Sequence, residues 1–326
     1  MNKSNNWKKS LKDAIRSLDD LLAVLEIDQS DLWISPDKES FPILVPKSYL
    51  GRIKKGDPND PLLLQVIPTS KEHQNYPEFT HDPLNEISLS NNGLIKKYSS
   101  RELLITTQSC PIHCRYCFRK NYPYEDNHFT ESKLLELING LRSRTKTTEV
   151  ILSGGDPLSL SNRKINKLIK NLETIDHLTT LRIHTRFPIV IPERIDHELI
   201  QILKSTRLNT IVVTHSNHAN EIDHTVHSML LSMKNAGITL LNQSVLLKNI
   251  NDNIDSLKNL SYKLFNAGVL PYYIHQIDRV TGSAHFMVDD KIAINLINEL
   301  RQEISGYLVP QLVREVPGEL SKIPIT

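Results

Sequence analysis

The chain has 326 residues, 39% of them apolar, and a formal net charge of only +2. That is enough apolar material to bury a sizeable core, in one large domain with an extension or in two small domains. Acidic and basic residues are interspersed rather than blocked, which argues against a nucleic-acid-binding arm and against a basic membrane-surface patch.

The first ten residues are polar and lack the apolar run of a signal peptide. No stretch approaches the roughly 18 apolar residues of a membrane-spanning helix. A cytoplasmic protein is expected, and a reducing compartment suits cysteines that serve a metal rather than disulfides. Leu11, Ile15, Leu18, Leu21, Leu22 and Leu25 fall at helical spacing and predict one helix over residues 7–25. Residues 30–92 hold many prolines, Pro58 and Pro61 among them, and predict short helices and loops packed on a main domain. The expected divisions are 1–95 for this mostly helical extension, 96–304 for the core and 305–326 for a C-terminal segment.

Beyond the extension the pattern alternates. Strand-like runs at 103–107, 150–153, 181–184, 210–214, 239–245 and 272–277 are separated by helical runs at 132–141, 164–172, 193–203, 225–235 and 254–265. A last helix is expected over 290–304. Six β/α units in series predict an α/β fold with a parallel sheet, rolled into a full or partial (β/α)6 barrel of the TIM type. Chemistry in such barrels collects at the C-terminal ends of the strands. Those ends carry Cys110, then Gly154-Gly155-Asp156-Pro157, Thr185-Arg186, Thr214-His215-Ser216-Asn217-His218, Asn242-Gln243, and finally His275 with Asp278.

All three cysteines form one motif, Cys110-x-x-x-Cys114-x-x-Cys117. A structural zinc would need a fourth ligand, such as His113 or His128. Three thiolates on a four-iron, four-sulfur (4Fe–4S) cluster instead leave one iron open to bind and reduce a ligand. The spacing resembles the signature of the radical S-adenosylmethionine superfamily. There the open iron chelates S-adenosylmethionine, and one electron releases a 5′-deoxyadenosyl radical. Gly154-Gly155-Asp156-Pro157 fits the superfamily's second element. Its glycines are expected to let backbone approach the cosubstrate closely, with polar groups meeting the methionine amino group.

From about residue 40 onward the chain resembles the lysine 2,3-aminomutase family. The stretches that carry the resemblance include Cys114-Arg115-Tyr116-Cys117-Phe118-Arg119, Ser153-Gly154-Gly155-Asp156-Pro157-Leu158, Thr185-Arg186-Phe187-Pro188, Asn242-Gln243-Ser244-Val245, Pro271-Tyr272-Tyr273 and His285-Phe286. Ser305-Gly306-Tyr307-Leu308-Val309-Pro310, and an ending soon after Lys322, resemble the short bacterial branch that makes (R)-β-lysine for modifying elongation factor P.

The resemblance implies an isomerase that moves the amino group of L-lysine from the α to the β carbon, a radical 1,2-shift assisted by pyridoxal 5′-phosphate. It places the Schiff-base lysine at Lys322. It places phosphate donors at Lys97, Tyr98 and Arg101, with Lys97 standing where the longer enzymes have an arginine and so losing the bidentate fork. Arg119 is expected to grip the substrate carboxylate, and Asp278 and Glu315 to face the distal ammonium. Gly154, Gly155, Asp156, His215 and Gln243 fall to S-adenosylmethionine, with Arg186 as a further polar contact. The implied partners are L-lysine, an electron donor such as flavodoxin or ferredoxin, and, through the product, elongation factor P and its lysyl ligase. Three other readings stay open: an aminomutase for another amino acid such as glutamate, a radical enzyme without pyridoxal phosphate, and a zinc-held binding module. The acids at Asp278 and Glu315 count against glutamate, which would want a cation there.

Overall fold

Residues 7–25 do not form the single helix that their spacing predicts. In the computed structural model, α1 (Asn6–Lys12) ends early and α2 (Leu18–Leu25) starts afresh at Ser17, whose hydroxyl accepts the Asp20 N–H. Between them Ile15 exchanges both backbone hydrogen bonds with Val45, at 2.8 and 2.9 Å. The serine offers the chain a new helix start, and the bridge satisfies the backbone groups that the break exposes. The structure describes residues 6–32, 41–91, 93–96, 98–124 and 131–326; Lys97 and His128, named above, lie outside them.

The rest of the extension is short pieces, as its prolines predict, including α3 (Lys47–Leu50) and α4 (Glu86–Leu89). A small hairpin, β1 (Ser90–Asn91) and β2 (Leu94–Ile95), then pairs antiparallel with β3 (Arg101–Ile105). From β3 the chain alternates: α5 (Glu131–Ser143), β4 (Glu149–Ser153), α6 (Asn162–Leu172), β5 (Thr180–Thr185), α7 (Phe187–Val190), α8 (His197–Lys204), β6 (Asn209–His215), α9 (His224–Asn235), β7 (Thr239–Val245), α10 (Ile254–Asn266), β8 (Leu270–His275), α11 (Asp290–Glu303), β9 (Gln311–Arg314) and β10 (Ile323–Pro324).

All ten strands lie in one sheet in sequence order. Strands β3 to β9 pair parallel, and β10 returns antiparallel on β9. The expected six parallel strands are therefore seven. The extra one, β9, is only four residues long and follows Pro310, too short to show as a strand by pattern. Among the described residues no pairing joins β10 to β1, so the barrel is partial.

Periodicity explains how the helices cover the sheet. In α6, Ile165, Leu168, Ile169 and Leu172 are buried, the i, i+3, i+4, i+7 stripe of a one-sided helix. Among the parallel strands β4 is buried on both faces, with only Glu149 not fully buried. The extension shares this core: the Trp7 ring meets Phe187 edge-on at 5.7 Å, and Leu21, Leu25 and Tyr49 join the same cluster. Among the described residues no helix is long and apolar enough to cross a membrane.

Candidate active site

The loop after β3 carries the three cysteines, and the extension braces it. Leu44 O accepts the His113 N–H at 3.1 Å, and Gln65 O accepts the Arg115 N–H at 2.9 Å. The fully buried Arg115 guanidinium donates twice to Glu72, at 2.9 and 2.6 Å. The His113 ring is spent on Pro42 O at 2.8 Å. Among the described residues no three His, Cys, Asp or Glu side chains are spaced to hold a single metal ion. All three cysteines are free and partly buried, and all line one cavity. Burial, then the neighbouring Cys117, pushes the Cys110 thiol well up; burial, then Cys114, pushes Cys117 to about 11. Both are protonated at neutral pH, so iron loading must release protons.

The glycines of the second motif sit in close quarters. They approach the cysteine loop rather than open space. A Cβ on Gly155 would lie 2.5 Å from Ser109 O, and one on Gly154, whose φ is +120°, would lie 2.7 Å from Thr107 O. The Gly155 and Asp156 N–H groups are consumed by Thr107 O and Ser109 O, at 2.7 and 2.8 Å. The Asp156 carboxylate also turns inward, accepting from Thr185 Oγ1 at 2.8 and 2.9 Å, from Arg186 N at 2.7 Å and from Leu158 N at 3.0 Å. Burial still pushes it up to about 6.

One cavity, with an empty volume of about 1570 Å³ including its mouth, is lined by the cysteines and by every other site residue named from the sequence that falls among the described residues. Arg119 lies against the glycine motif, its Nε and Nη2 taken by Glu86 at 2.6 and 2.9 Å and its Nη1 by Ser153 Oγ at 2.8 Å. The guanidinium of Arg101 sits 4.0 Å from the Tyr98 ring centroid. The Tyr98 hydroxyl donates to Glu315 at 3.3 Å, and Glu315 holds the Lys322 ammonium as an ion pair. Glu315 directly follows β9 and Lys322 directly precedes β10, so the antiparallel β9–β10 pair brings both to the cavity. Asp278 lines it from the loop after β8, and His215 and Gln243 from the ends of β6 and β7.

Several lining residues were not singled out from sequence. Glu86 stands on a single helical turn in the proline-rich extension, where no local signal marks it. His184, at an alternate position of a predicted strand, was detectable only as a polar residue on one face. Burial holds His215 and His275 down to about 3, helped by Arg186 and by Lys322 respectively, and holds His184 well below the usual range. All three are neutral imidazoles at physiological pH. The Nε2 atoms of His184 and His215 are buried without a partner, and both residues line the cavity, where a polar ligand would satisfy them. The cavity thus fits the groups its chemistry implies: thiols for a cluster, unfilled imidazole nitrogens and a large hollow for a nucleoside, and a lysine beside Arg101 and Tyr98 for an aldehyde that carries a phosphate.

A partial parallel barrel with three thiols in a C-x3-C-x2-C loop at its mouth defines the radical S-adenosylmethionine class, and residues 104–253 match the family model described as Radical SAM superfamily. The L-lysine 2,3-aminomutase of Escherichia coli (strain K12) is 42% identical over 322 residues, covering 98% of this chain and 94% of that protein. That of Buchnera aphidicola subsp. Baizongia pistaciae (strain Bp) is 45% identical over 327 residues, covering 99% and 96%. The crystal structure of Streptococcus suis SuiB bound to S-adenosylmethionine shares the fold, with a TM-score of 0.50 at 13% identity over 70% of this chain and 53% of that one. The chain belongs to the lysine 2,3-aminomutase family, isomerases whose cofactors are a four-iron–four-sulfur cluster, S-adenosylmethionine and pyridoxal phosphate.

Proposed function

We propose that the protein converts L-lysine to (R)-β-lysine. The observation that carries this reading is the meeting of three thiols, Lys322 and the acids Asp278 and Glu315 around one cavity. When bound, the cluster with S-adenosylmethionine supplies a hydrogen-abstracting radical, and pyridoxal phosphate supplies an imine and a ring that spreads spin.

The chain's own residues bind and orient. Cys110, Cys114 and Cys117 hold the cluster. His215 and Gln243 meet S-adenosylmethionine, together with carbonyls of Gly154 and Gly155, while Asp156 fixes the strand end beside them. Lys322 tethers pyridoxal phosphate, and Lys97, Tyr98 and Arg101 receive its phosphate. Arg119 meets the substrate carboxylate. Asp278 and Glu315 face the distal ammonium, a charge pattern suited to a diamino acid and unsuited to glutamate. The walls keep water from the reacting atoms.

Protein purified without oxygen, reduced, and supplied with S-adenosylmethionine and L-lysine should form β-lysine; turnover of glutamate instead would overturn the assignment. The reductant is read as flavodoxin or ferredoxin. Likeness to the short relatives supports a role in supplying β-lysine to the lysyl ligase that modifies elongation factor P. Elongation factor P from cells lacking this gene should then lose the mass of a β-lysyl group.

A further inference from the structure

Arg186 stands where β5 ends and α7 begins, and its side chain is nearly filled with contacts. Its backbone N–H is fixed by Asp156, as described above. The guanidinium then crosses beneath the cysteine loop. Nη1 donates to Cys114 Sγ and, at 2.8 Å, to the Tyr116 hydroxyl. Nη2 donates to Gln65 Oε1 at 2.8 Å and to Glu221 Oε2 at 3.2 Å. Those partners are themselves held. Gln65 Nε2 donates to Glu221 Oε1 at 3.0 Å, and Asn217 Nδ2 donates to both Gln65 and Tyr116, at 3.0 and 2.7 Å. Arg186 is 5% exposed and Glu221 fully buried, so the cation cannot swing away without stranding a buried carboxylate. Cys117 is served differently, by the backbone N–H of Arg119.

We propose that Arg186 is a positioning residue that clamps Cys114 and, by donating to its sulfur, raises the reduction potential of the cluster. A fixed cation and an N–H···S bond both withdraw electron density from the sulfur and favour the reduced, more negative cluster. The Asp156 of the glycine motif is then linked to the cluster through one arginine. A lysine at this position keeps the charge but cannot reach Cys114, Tyr116 and Glu221 together.

The test is a potentiometric titration of the anaerobic holoenzyme, with cluster reduction followed by electron paramagnetic resonance. R186K removes the fork. R186Q combined with E221Q removes the charge without leaving the carboxylate unpaired. Iron content and thermal midpoint, measured first, report on cluster and fold separately from the potential. The expected result is a midpoint shifted to lower potential in both variants, with a stronger reductant needed to reduce the cluster. A midpoint and spectrum identical to the parent's, in R186K with the parent's iron content, would overturn the proposal.

Discussion

Gly155 shows how one residue type at one position can decide a site. Its backbone lies so close to Ser109 that an alanine Cβ would sit 2.5 Å from the carbonyl oxygen, and 2.6 Å from that of Gln108. Neither neighbour is a flexible side chain, so G155A must move the cysteine loop. Destabilisation of about 2–4 kcal/mol is expected, with loss of bound iron; thermal melts and iron analysis check both. At the far side of the cavity, Lys322→Ala should abolish the visible absorbance of bound pyridoxal phosphate while leaving iron content intact. Asp278→Asn should keep that absorbance and raise the KM for lysine about tenfold or more, as expected for losing one charged hydrogen bond of roughly 1.5–3 kcal/mol.

Several helices owe their starts to side-chain caps. Ser161, Asp196, Asp223, Asn253 and Asp289 each accept a backbone N–H in the first turn of α6, α8, α9, α10 and α11. Asp196 also takes two contacts from Asn162 Nδ2, at 3.0 and 3.2 Å. Asp196→Ala should therefore cost about 1–2 kcal/mol in denaturant unfolding without changing cofactor binding, since α8 lies outside the cavity lining. The helix predicted over 7–25 fails at this same scale. Its apolar spacing is continuous, but Ser17 begins a second helix and Ile15 bonds to Val45, a partner thirty residues away that no local pattern reveals.

The whole molecule has a pH signature set by its buried histidines. An unfolded histidine titrates near 6.5, whereas His215 and His275 titrate near 3 in the fold. Below pH 6.5 the unfolded chain gains protons that the native state refuses, so stability falls with falling pH. Asp156 acts in the opposite sense. Its carboxyl is raised to about 6, so between pH 6 and its ordinary value of 3.8 the native state binds the extra proton. His184, held well below its usual range, acts with His215 and His275, so the histidines outweigh the one acid and stability falls with falling pH across that window. Unfolding free energies of the cofactor-free protein at pH 6 and pH 4 check the sign; greater stability at pH 4 would contradict it.

The sequence by itself determined the alternation of strands and helices, because a two-residue and a 3.6-residue apolar period are written locally and each span is long enough to show. It also determined the cysteine motif, whose three ligands lie within one loop, and, by resemblance, a set of polar positions at strand ends. Only the tertiary structure decided what those positions touch. Nothing local pairs Glu86 with Arg119 or Arg186 with Cys114, because each contact joins segments far apart in sequence that only the tertiary fold brings together. The seventh strand and the bracing of the cysteine loop by Leu44, Gln65 and Glu72 were hidden for the same reason. Short segments without a period of their own take their structure from the partner they pack against.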